Sequence, residues 1–159
     1  MKKLLLLIII IPSFIQAEEL ILLCEGKREF SSYIEGGMNF KEVELALLKI
    51  KKDSMIYIGL NSGRKYIFGN KEYTAPKISP HEDIKIKELY EVTSETISAS
   101  QTITDMGSSD ESAISAINVL VDRLTGELNE VDNMINKKTL KVIKSNKFEA
   151  LCKRRDGAL

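Results

Sequence analysis

Tryptophan is absent from this 159-residue chain, histidine occurs once, at His81, and cysteine only twice, at Cys24 and Cys152. A single imidazole leaves little from which to build a nucleophile and its base, and the chain holds no Gly-x-Ser-x-Gly elbow. His-Glu-x-x-His and cysteine pairs at zinc-finger spacing are also missing, and Asp105, Asp110 and Glu111 lack the alternating oxygen ligands of a calcium loop. No glycine-rich phosphate cradle occurs, because Gly36-Gly37 and Gly69 read as turn residues. The 23 basic and 23 acidic side chains balance, which argues against the basic face that displaces counterions from nucleic-acid phosphates. These absences predict no catalytic, metal or cofactor site and no nucleic-acid partner.

Long apolar runs are equally scarce, and the one present, Leu4 to Ile11, lies between Lys2-Lys3 and Pro12. A positive start, an apolar centre and a polar approach to the small residue Ala17 are the parts of a secretory signal peptide, with cleavage expected after Ala17. The stretch between Lys3 and Glu18 falls short of the roughly 20 apolar residues that cross a bilayer. No membrane span is therefore expected in the mature chain. Lipidation at Cys24 is disfavoured by the bulky Leu22 and Leu23 before it. The expected layout is a signal peptide at 1–17 and a single domain at 18–159, exported to the periplasm or secreted by a bacterium. Removal of 1–17 leaves 21 basic against 23 acidic side chains, a formal charge of −2.

In an oxidising compartment two thiols with no third imply one bridge, Cys24 to Cys152, with two separate buried thiols as the alternative. If the bridge forms, the two ends of the domain are neighbours in space.

The remaining pattern is one of short strands and turns. Leu20–Cys24 reads as a strand that continues through Glu25-Gly26 into a polar stretch ending at Phe30 and Tyr33, and Gly36-Gly37 as the turn before the next strand start. Residues 40–50 carry two signals. Asn39 and Glu42 resemble a helix-capping box over a stripe of Phe40, Val43, Leu47 and Ile50, whereas Val43, Leu45 and Leu47 alternate at period two. The turn-like Lys51–Ser54 that follows favours a hairpin into Met55–Leu60. Further strands are expected at 65–68, 71–74, 84–92, 95–104, 114–121, 127–131 and 148–152, with Pro76 and Pro80 marking a connection and 105–112 a surface loop. With no sustained helix, this predicts an all-β antiparallel meander closing as a small barrel or sandwich, of about eight strands.

Asp122 and Glu127 are the carboxylate pair that a glycosidase would need. A chain without tryptophan offers poor sugar stacking, and His81, between Pro80 and Glu82, reads as a loop residue, so an enzyme is not expected. The scattered aromatics read as core packing, and the basic tail Lys153-Arg154-Arg155 as a solvated terminus.

With Cys24-Glu25-Gly26 near the mature start, Asp122-Arg123-Leu124-Thr125-Gly126-Glu127-Leu128 late, and a cysteine after Phe148, the chain resembles a loose set of small uncharacterised exported bacterial proteins. The resemblance implies a one-domain β fold held by a terminal disulfide and brings no catalytic residues. The leading expectation is a non-enzymatic binding or interaction barrel for a small apolar ligand or another envelope protein. An inhibitor of an envelope hydrolase acting through the 105–112 loop, and a hydrolase built on Asp122, Glu127 or His81, are the alternatives.

Overall fold

A computed structural model describes residues 19–75, 84–106 and 113–155 of the chain. These form ten strands: β1 (Leu20–Ser32), β2 (Asn39–Ile50), β3 (Met55–Gly59), β4 (Lys65–Phe68), β5 (Lys71–Ala75), β6 (Ile84–Val92), β7 (Thr96–Met106), β8 (Ala113–Asp122), β9 (Glu127–Asn136) and β10 (Val142–Arg154). All pair antiparallel in one sheet of order β4-β3-β2-β1-β10-β9-β8-β7-β6-β5. The sheet curls into a half-barrel, so the expected all-β meander is present as one curved sheet and not as a two-sheet sandwich.

The topology places the first and last strands side by side at the centre of the sheet. Cys24 of β1 lies opposite Cys152 of β10 in register, and their sulfurs are bonded at 2.00 Å. The free edges fall in the middle of the chain instead, at β4 and β5, which only Gly69-Asn70 separates. Side chains stitch this seam. Asn70 donates from Nδ2 to the Tyr90 carbonyl at 2.8 Å and accepts the Tyr90 amide at 2.7 Å. The Tyr90 hydroxyl donates to the Lys51 carbonyl at 2.7 Å, tying β6 to the turn between β2 and β3.

Inward positions alternate along much of β1, β3, β6, β8 and β10, as a sheet with one buried face requires. Around the disulfide this face is apolar, with Leu22, Leu48, Met55, Phe68, Ile97, Val121 and Leu128 all buried. Towards the other end it turns polar.

Several boundaries differ from expectation for physical reasons. β1, by contrast, follows expectation: it runs unbroken through Glu25-Gly26 to Ser32, ahead of the turn at Gly36-Gly37. Gly26 is there because the paired β10 approaches so closely that a Cβ would sit 1.9 Å from the Glu149 carbonyl oxygen, the close backbone approach at which a strand glycine is used. Residues 39–50 form a single strand, so the helical stripe is not used. The period-two signal was correct, but Glu44, Ala46 and Leu48 point inward while Val43 is 60% exposed. β7 absorbs Asp105 and Met106, β9 continues to Asn136, and β10 starts at Val142 and passes through Lys144–Lys147 without a break. Cross-strand pairing extends each of these beyond what its own side chains signal.

Candidate functional site

The polar end of the interior is organised by Arg28, which faces inward from β1 and is 1% exposed. Its Nε donates to Glu44 Oε2 at 3.1 Å, one terminal nitrogen to Glu130 Oε1 at 3.1 Å and Asn146 Oδ1 at 2.9 Å, and the other to Glu130 Oε2 at 2.9 Å and the Tyr57 hydroxyl at 2.6 Å. A guanidinium has five N–H groups, and all five are committed. The Glu130 pair is a two-pronged fork, and the Phe148 ring centroid lies 4.8 Å from the guanidinium carbon. Such a cluster fixes five strands against one another, and its guanidinium has no donor left for a ligand.

Burial works against the Arg28 charge, but the Glu130 hydrogen bond and the surrounding charges outweigh it and raise its pKa. Burial likewise pushes against the Glu44 carboxylate. Hydrogen bonds from the Ser62 hydroxyl and the Asn61 and Ser62 amides, with the Arg28 charge, nevertheless hold it below the usual carboxylate range. Burial first, then the Glu130 charge, drives the Tyr57 hydroxyl far up.

Two further charged groups face the same concavity. Asp132 accepts from Arg64 at 3.3 Å, and burial raises its pKa despite that partner. Glu88 is buried beside the free edge, where its Oε1 accepts from the Tyr73 hydroxyl and from Gln101 Nε2, each at 3.1 Å. Lys71 Nζ lies 3.5 Å from its other oxygen.

Of the residues singled out from sequence, Asp122 and Glu127 flank a single turn. Asp122 accepts the amides of Leu124 at 2.8 Å and Thr125 at 2.9 Å, which lowers its pKa and shapes the turn that closes at Gly126. Glu127 is exposed on the far side of that turn. His81, Asp110, Glu111 and the cleavage position Ala17 lie outside the described residues.

Room for a ligand occurs at the disulfide end. Two depressions open there, of about 300 Å³ and 480 Å³, sharing Leu20, Ile97 and Arg123. Their walls are Leu22, Ile50, Val92 and Val121, and Lys51, Lys52 and Arg154 stand on the rim with Arg123. Asp122 also lines the smaller one, but its carboxylate is engaged in the turn. A wider concavity of about 760 Å³ on the outer face of β6 to β9 is lined by Leu89, Leu120 and Val131 together with Ser98, Ser100, Asn118 and Asn129. Sequence reasoning missed the cationic mouth, whose residues come from turns and strand ends far apart in the chain. The basic tail containing Arg154 was its one visible part.

No protein-family model matches the chain, and no curated protein or solved structure shows significant similarity to it.

Proposed function

We propose that this is an exported, non-enzymatic binding protein whose disulfide-end mouth takes an amphiphile with an apolar chain and an anionic head, of the fatty-acid class. The carrying observation is the apolar wall of Leu20, Leu22, Ile50, Ile97 and Val121 beneath the cations Lys51, Lys52, Arg123 and Arg154. Apolar walls with a few convergent polar groups are the usual composition of a ligand site. Export is supported by the zones of residues 1–17, and the Cys24–Cys152 bridge suits the oxidising space that export reaches. The interior itself is filled by its own side chains, Tyr57, Phe148 and Arg28 among them, so the ligand belongs at the mouth and not within the half-barrel.

Displacement of a fluorescent long-chain carboxylate tests the reading. Saturable displacement by a fatty acid, weaker displacement by the matching alcohol, and weakening of the acid alone in a Lys51→Glu, Lys52→Glu double variant are the expected results. Absence of saturable binding, or equal binding by acid and alcohol in both proteins, would overturn it.

A further inference from the structure

The opposite end of the sheet carries a second surface that the mouth does not involve. Two hairpin tips stand side by side there, residues 33–38 between β1 and β2 and residues 137–141 between β9 and β10. They adjoin because β1 pairs with β10, and the Tyr33 amide donates to the Ile143 carbonyl at 2.9 Å. Residues 39–43 of β2 run past the end of its partner β3, whose pairing begins at Ala46. At the usual rise this lifts the first tip by roughly 15 Å. A stacked Phe30–Phe40 pair, 5.1 Å between centroids, braces its base, and the Ser32 amide donates to Asn39 Oδ1 across it.

The side chains at these tips are the reverse of what a solvated turn requires. Tyr33, Ile34, Met38, Leu140 and Val142 are all exposed, Met38 at 74% and Leu140 at 75%. Leu140 is the more telling, because its φ of 55° lies in the left-handed region. Glycine or asparagine is favoured there, and leucine is disfavoured by its Cβ. Neither burial nor turn geometry therefore accounts for leucine at this position. Lys137, Lys138 and Lys141 share its tip and Lys144 follows on β10, all exposed, while Glu35 is the only acid within the two tips.

We infer that these paired tips are a docking surface for an anionic lipid membrane, with Ile34, Met38 and Leu140 entering the headgroup boundary and the four lysines meeting lipid phosphates. Charge and position favour an anionic lipid surface over a protein partner: the exposed apolar groups sit at turn tips among exposed lysines. Apolar insertion combined with clustered lysines is how peripheral proteins hold anionic bilayers.

Flotation of the full protein with phosphatidylglycerol–phosphatidylcholine vesicles tests this against phosphatidylcholine alone. Recovery with the anionic vesicles, reduced by added salt, is expected. A Lys138→Glu, Lys141→Glu variant should bind at least about fivefold more weakly for each lysine reversed. Leu140→Asn should also weaken binding while raising the melting temperature, since asparagine suits the left-handed turn; a merely structural leucine would not divide the two readouts in this way. Residues 1–18 are common to parent and variants, so the differences report the tips alone. Equal recovery of parent and variants, or recovery that ignores lipid charge, would overturn the inference. So would failure to float combined with tip-dependent capture of a protein partner.

Discussion

Arg28 decides more of the interior than any other side chain, and its replacement separates charge from packing. Arg28→Met leaves Glu44 and Glu130 buried without their cation and should destabilise the fold by about 3–5 kcal/mol, read as a lower urea midpoint with unchanged slope. The triple variant Arg28→Met, Glu44→Leu, Glu130→Leu removes the unpaired charges and should recover most of that loss, because an apolar replacement of a buried ion cluster is often neutral or better. Glu44 also gives the pH dependence a sign. Its folded pKa lies below the ordinary value of 4.5, so its contribution is present above that value and is lost as pH falls below it. Asp132 acts oppositely: its raised pKa favours folding when it is protonated, and that gain disappears as pH rises. Glu44→Gln should therefore flatten the acid limb of a stability–pH curve, and Asp132→Asn should steepen it. Nothing in the local sequence marks Glu44 as buried. It sits between Val43 and Leu45, and alternation alone assigns the inward face to those two.

Among the elements, β1 shows why a glycine can stand in the middle of a long strand. Gly26 is needed because the β10 backbone paired beside it leaves no room for a Cβ. Gly26→Val should cost about 1–3 kcal/mol or more through forced displacement of the Glu149–Ala150 backbone, measured as a fall in melting temperature. Gly126 is the contrasting case. Its φ of 77° is the turn signal that the sequence carried openly, in Asp122–Gly126, and the turn forms where expected. Strand positions were broadly legible because β-branched and aromatic residues recur between such turns. The candidate mouth was not, because Lys51, Arg123 and Arg154 meet only through the pairing register. The paired tips were hidden for a different reason: Tyr33 and Leu140 look like the ends of core strands until exposure is known.

Over the whole molecule, the bridge spans 128 residues of sequence but joins direct neighbours in the sheet. Reduction should lower stability by up to about 4–5 kcal/mol in the loop-entropy description, seen as a lower melting temperature with reductant present. The bridged chain is in effect a ring whose discontinuity has moved to Gly69-Asn70, between the two unpaired strand edges. β1 cannot find β10 until nearly the entire chain is available, and so distant a pairing is slow to nucleate. Time to assembly then depends on redox state as well as on temperature. Refolding from the oxidised chain starts with its longest search already completed, whereas the reduced chain must bring β1 and β10 together across eight intervening strands.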